Sequence, residues 1–254
     1  MSITLETKVW ENDWELILKT SRLHQLLDRC NYSFNKKVLY INNVNKPLEV
    51  ERYAEKLINH QVIDEFIHVN NHAKEALDFF QLTKEQLGKG YYYSIAELVS
   101  IYLTNTKYLL HFSSDAIPEK NISADWLASG INLLENNKAV KVFNLTWDKK
   151  YKEAKKESHL EDTNFYYGYG FSDQMYLVRT SDFRAPIYSE FNKASKRYPS
   201  YGGELFEKRV DSWMRNNECL RATFKHGSYI HKNFTKNQFL KNLIIRVSKY
   251  ACTT

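Results

Sequence analysis

Apolar residues along this chain fall into short runs separated by polar breaks. Ile3, Leu5 and Val9 sit on alternate positions, the period of a strand with one buried face. Glu11, Asn12 and Asp13 interrupt the pattern. Trp14, Ile17, Leu18, Leu23, Leu26 and Leu27 then stand near helical spacing and predict a helix over 13–29. Residues 38–41 predict a second strand, closed by Asn42 and Asn43. Pro47 suits the first turn of a helix and predicts one over 48–59. Residues 65–69 predict a third strand closed by Asn70 and Asn71, and 72–87 a helix that Gly88 to Gly90 end. A helix near 92–105 leads into a fourth strand over 108–112.

Beyond it, Ser123 is a fair N-cap for a helix to about 135, with Asp125 in its first turn. Residues 140–147 predict a strand, 148–160 a solvated helix or loop, 165–171 an aromatic loop punctuated by glycine, and 175–178 another strand. At the end, Phe239, Leu240, Leu243, Ile244 and Val247 trace one helical face opposite Lys and Arg. Such a helix either packs on the body or lies in a membrane interface. The alternation of strand and helix over the first 115 residues predicts an α/β fold with a mostly parallel sheet flanked by helices. Ligands bind such sheets at the carboxyl ends of their strands. The expected organisation is one domain over 1–234 and a basic amphipathic helix over 235–254.

Composition changes little in this picture. With 254 residues, 43% hydrophobic and 26% charged, the chain has ordinary globular composition. The net charge is +6, but Lys236, Lys241, Arg246 and Lys249 lie in the last twenty residues, which hold no acid. The remaining +2 does not describe a nucleic-acid groove, so no nucleic acid is the expected partner. Three scattered cysteines, with no CxxC pair, argue against a zinc site or a disulfide framework. No apolar run is long enough to span a bilayer, and the N-terminus has no signal-like apolar region. A cytoplasmic protein is expected, with peripheral contact of 235–254 with an anionic membrane face as an open alternative.

The chemistry concentrates where the fourth strand runs into Ser113, Ser114 and Asp115. A carboxylate at a strand's C-terminal end is an oxygen ligand at the open rim of the sheet, where a hard divalent cation can bridge to diphosphate oxygens. Capping of the following turn is the plain structural use of the same residue. Segment 108–118, preceded by the Gly88-Lys89-Gly90 turn and a helix, resembles the strand and DxD-like motif of GT-A fold glycosyltransferases of the family 2 type. The helix and strand after it match the family's order. Ser113 stands where the first acid of DxD is usual, which leaves the metal role to Asp115.

That resemblance implies a nucleotide-sugar donor, with UDP- or GDP-sugars as candidates, a Mn²⁺ or Mg²⁺ cofactor, and a glycan or lipid-linked acceptor of the kind built in polysaccharide biosynthesis. It implies nucleotide-sugar contacts from Val9, Asn70, Lys89, Ser113 and Ser114, and acceptor or sugar contacts from Asp173 and Gln174. It implies a late histidine, His231, as a second metal ligand. The cluster from Tyr198 to Arg209 is similar to the acceptor-side motif, in which an acid opens a helix after a glycine turn. Inverting members use that acid as general base. Glu204, directly after Gly202-Gly203, is expected in that role ahead of Glu207, one turn on. The competing reading is a module that holds carbohydrate or nucleic acid without catalysis. A nucleotidyltransferase would need more than one carboxylate at the metal.

Overall fold

The computed structural model describes residues 2–198 and 203–251; Gly202 of the 198–209 cluster lies outside them. In chain order the elements are β1 (Ile3–Val9), α1 (Trp14–Leu18), α2 (Arg22–Cys30), β2 (Lys36–Ile41), α3 (Pro47–Asn59), β3 (Glu65–His68), α4 (Val69–Phe80), α5 (Lys84–Leu87), α6 (Tyr91–Leu103) and β4 (Tyr108–Phe112). The chain continues with β5 (Ala116–Pro118), α7 (Trp126–Asn136), β6 (Val140–Trp147), α8 (Tyr151–Glu157), β7 (Ser158–Glu161), β8 (Phe165–Gly168), β9 (Met175–Arg179), α9 (Thr180–Phe183), α10 (Phe206–Asn216), β10 (Leu220–His231) and α11 (Gln238–Ala251).

These strands form one sheet in the order β3-β2-β1-β4-β9-β6-β10-β8-β7, with β5 paired to β10. The first four are mutually parallel, as the strand–helix alternation requires. β9 then enters antiparallel between β4 and β6, and β10 runs parallel to β6. The architecture is the expected α/β one, a central sheet flanked by helices, with its antiparallel pairings all involving strands that follow β4. Helices cover both faces, so β1 is buried on both: Thr4, Glu6 and Thr7 are buried as well as Ile3, Leu5 and Val9. That differs from the single buried face its alternation suggests. Three apolar clusters, around Ile3, Leu110 and Phe143, around Leu109, Val178 and Phe206, and around Val38, Tyr40 and Val99, pack against the sheet.

Several boundaries depart from the sequence reading. The helix expected over 13–29 is two, broken at Lys19 to Ser21. Asn70 and Asn71 do not close a strand, because α4 starts at Val69 with no intervening loop. Asp125, not Ser123, is the residue that precedes α7, and the Ser123 hydroxyl bonds the Asp125 carboxylate. Residues 165–168, expected in a loop, are strand β8 and pair with β10.

Candidate functional site

The four parallel strands end on one rim of the sheet, and there the chain encloses a cavity of about 750 Å³. Trp10 and Asn12 follow β1, Asn42 and Asn43 follow β2, and Ser113 to Asp115 follow β4; all line it. This is the carboxyl-end position that an open α/β sheet offers a ligand.

The Asp115 carboxylate stands 3.1 Å from the His231 ring, Oδ2 to Nε2. Register explains how residues so far apart in sequence meet. β5 pairs with the end of β10 so that Ala116 faces His231, and the neighbouring Asp115 is carried alongside. Asp115 also accepts a 2.9 Å hydrogen bond from the Ser113 hydroxyl. Gln174 Nε2 lies 3.3 Å from His231 Nδ1, and its Oε1 accepts from the Tyr229 hydroxyl at 2.9 Å. Burial works against ionisation of Asp115, yet the His231 bond and charge hold its carboxyl below the ordinary range. The same bond raises the His231 imidazole above its usual value, against partial burial.

Ser114 donates to Asp13, whose other oxygen accepts the Trp10 backbone N–H at 2.8 Å. Asp13 thereby ties the loop after β1 to the loop after β4. Burial pushes its carboxyl up to about 7, despite those hydrogen bonds. Lys8 reaches the cavity wall from β1 and is paired with Glu97, a wholly buried acid in the middle of α6. Burial pushes the Lys8 ammonium down, opposed by the charges of Asp173, Glu6, Asp13 and Asp115. Sequence reasoning passed over all three residues. The available signals were a lone acid inside the apolar helix from Tyr91 to Leu103 and a lone lysine near the end of an apolar strand.

Asp173 and Gln174, expected to contact the acceptor or sugar, line the cavity. Glu207, in the first turn of α10, lies against Asp173. Burial first, and the charge of Asp173 second, push its carboxyl up to about 8. Glu204 is elsewhere. α10 begins at Phe206, so Glu204 falls before the helix, half-exposed and ion-paired with Lys208. Val9, Ser113 and Ser114 are at the cavity. Lys89 is an exposed residue of the Gly88–Gly90 turn and is not on the cavity wall. That turn packs on Gly203, where a side-chain Cβ would come within 3.0 Å of the Gly90 nitrogen. Asn70 lines a separate cleft of about 310 Å³ that shares only Asn43 with the main cavity.

Among the described residues no three His, Cys, Asp or Glu gather to hold a metal. The Asp115–His231 pair still fits a cation whose remaining ligands come from a phosphate-bearing donor. Two ligands at right angles around a cation with bonds of about 2.1 Å stand about 3 Å apart, the separation found here. One carboxylate and one imidazole suit manganese better than magnesium.

No protein-family model matches the chain, and no curated protein sequence matches it. Solved structures do. Glucosyl-3-phosphoglycerate synthase from Mycobacterium tuberculosis, in complex with phosphoglyceric acid, superposes with a TM-score of 0.51 at 14% identity, over 96% of this chain and 76% of that one. The same enzyme with Mn²⁺, UDP-glucose and phosphoglyceric acid gives 0.50 at 13% identity, over 99% and 80%. A mycobacterial protein gives 0.51 at 13% identity, over 96% and 71%. At such identity the likeness is one of fold, and the chain has the GT-A fold.

Proposed function

We propose that this chain is a glycosyltransferase that moves a hexose-type sugar from a nucleoside-diphosphate donor to a hydroxyl of a glycan or lipid-linked glycan, with inversion. The observation that carries the reading is the Asp115–His231 pair, held by the β5–β10 register at the carboxyl rim of the parallel sheet, on the wall of the cavity there. The structural relative that contains Mn²⁺ and UDP-glucose supports a metal-assisted nucleotide-sugar reaction on this fold.

Asp115 and His231 would hold Mn²⁺ or Mg²⁺. What such a cation supplies, when bound, is neutralisation of the charge that builds on the departing diphosphate. Ser113 orients the Asp115 carboxylate through its hydroxyl, and Gln174 holds the His231 ring from behind. Trp10, Asn42 and Asn43 offer a flat ring and amide groups to the nucleoside end of the cavity.

Asp173, on the cavity wall, and Glu207, which lies against it without lining the cavity itself, form the acceptor side. The acceptor hydroxyl attacks the anomeric carbon as the bond to the diphosphate breaks, and its proton passes to this carboxyl pair. A base whose conjugate acid titrates near neutral pH suits that task, and burial with like charge sets Glu207 in that range. This assignment prefers Glu207 to Glu204, whose carboxylate is engaged with Lys208.

Calorimetry with Mn²⁺ and a panel of UDP- and GDP-sugars tests the reading. Binding that requires metal and is lost in Asp115→Ala supports it. Glycan binding indifferent to nucleotide and metal would replace it with a non-catalytic module. For the base, Glu207→Gln should lower kcat about 10²- to 10⁴-fold with donor affinity retained, while Glu204→Gln stays near wild type. The reverse ranking would return the role to Glu204.

A further inference from the structure

Helix α11 rests on the body by the side opposite its largest apolar face. Its buried positions are Lys241 and Ile245. Gln238 Nε2 donates to Glu15 Oε2 of α1 at 2.9 Å, and the Lys241 charge acts on the same carboxylate. At 3.6 residues per turn, Lys241 and Ile245 share one side of the helix, and Phe239, Leu240, Leu243, Ile244 and Val247 share the other. Those five side chains are 75%, 44%, 50%, 45% and 62% exposed. They form a continuous apolar strip, which an isolated soluble surface seldom carries.

The charges carried by the helix and the segment leading into it have one sign, and the acid they meet on the body, Glu15, lies on the packed side of the helix. Lys232, Lys236 and Arg246 are exposed, and no Asp or Glu follows Glu218 in the sequence. Two copies of the helix meeting along their strips would set cation against cation. An anionic phospholipid surface satisfies both features: the acyl boundary takes the apolar side chains, and the headgroups take the cations. No helix of the described residues is long and apolar enough to cross a membrane, so the contact would lie in the interface plane.

We propose that α11 docks the protein on an anionic bilayer through Phe239, Leu240, Leu243, Ile244 and Val247. The strip is close to the cavity in the chain. β10 ends at the cavity residue His231, α11 follows after 232–237, and α1, on which it rests, follows the cavity residue Trp10. Docking therefore holds the cavity rim near the lipid. That an acceptor is presented from the bilayer rests on the proposed function; the docking itself does not.

Flotation of the full chain with phosphatidylcholine vesicles, with and without phosphatidylglycerol, tests it. The wild type should float with the mixed vesicles and stay behind with phosphatidylcholine alone or at high salt. Phe239→Gln/Leu243→Gln/Val247→Gln changes only exposed positions and should lower the bound fraction about tenfold or more. Lys236→Glu/Arg246→Glu should remove the preference for phosphatidylglycerol with the strip intact. Absence of flotation in the wild type, or equal flotation of the triple variant, overturns the proposal. So does a dimer in sedimentation velocity that the triple variant dissociates while neither protein binds vesicles, since the strip would then belong to a second copy. UDP binding and thermal stability, measured on the same proteins, report on the proposed function and on folding separately.

Discussion

His111 is a histidine that the strand period assigns to packing, and it is fully buried with Nδ1 2.6 Å from Glu6 and its ring stacked on Tyr176. Removing one partner from a buried hydrogen-bonded pair strands the other, at a cost of about 1–3 kcal/mol. Glu6→Ala should lower the Tm by roughly 5 °C by calorimetry. Glu6→Gln keeps an acceptor and should recover most of that; equal losses in the two variants would mean that packing, not the hydrogen bond, is at stake. Two other acids, one buried (Asp13) and one half-buried (Glu207), make stability depend on pH. Glu207 and Asp13 have folded-state pKa values raised to about 8 and about 7. The folded state therefore binds these protons more tightly than the unfolded chain. Their contribution is full below the ordinary carboxylate range and is lost as pH rises through about 7 to 8. Glu207→Gln has no proton to release there. Between about pH 6 and 9 its Tm should fall less than that of the wild type; parallel curves would mean that the carboxyl is not raised.

At the scale of elements, the sequence was legible where one local rule acted alone. Pro47 marks the start of α3, and the apolar run from Tyr108 to Phe112 is β4. It was less legible where tertiary pairing decided the outcome. β10 carries Lys225, His226 and Gly227 in the middle, and its register with β6 shifts between Phe224 and Ser228. That irregularity breaks the period-2 signal. β8 reads as a loop because Gly168 and Gly170 punctuate its short aromatic run, but pairing with β10 and β7 satisfies its backbone. The same long-range pairing hid part of the site. Asp115 was visible as a strand-end acid, whereas its contact with His231 depends on the β5–β10 register, and the Lys8–Glu97 pair on how α6 lies against β1. Where α7 covers the sheet, Gly130 is required by contact. A Cβ there would sit 2.7 Å from the Phe143 ring. Gly130→Ala should cost about 1–3 kcal/mol by overpacking, and truncating the ring in Gly130→Ala/Phe143→Leu should return part of it. Additive losses in chemical denaturation would contradict the contact.

For the whole molecule, the cavity joins loops after β1, β2 and β4 to Asp173 and Gln174, which precede β9, and to the end of β10. A ligand that fills it links pieces of chain that the sheet alone leaves as separate loops, and it binds only the folded state. Ligand at a hundredfold excess over its Kd adds about 2.7 kcal/mol. For a chain of this size, that corresponds to a rise in Tm of roughly 5–10 °C. UDP with Mn²⁺ should produce such a rise, and a chelator should remove most of it. On the proposed reading a cation would offset the Asp115 and Asp173 charges against a diphosphate, so UDP alone should give a much smaller shift. On the proposed reading that Asp115 and His231 hold the metal, Asp115→Ala and His231→Ala should each abolish the metal-dependent part, since losing even a supporting partner of a metal ligand typically costs about 10- to 100-fold in affinity. Glu204→Gln should leave the shift intact, since that carboxylate faces Lys208 outside the cavity. A full shift in Asp115→Ala would move the nucleotide away from the β4 rim and take the proposed reaction with it.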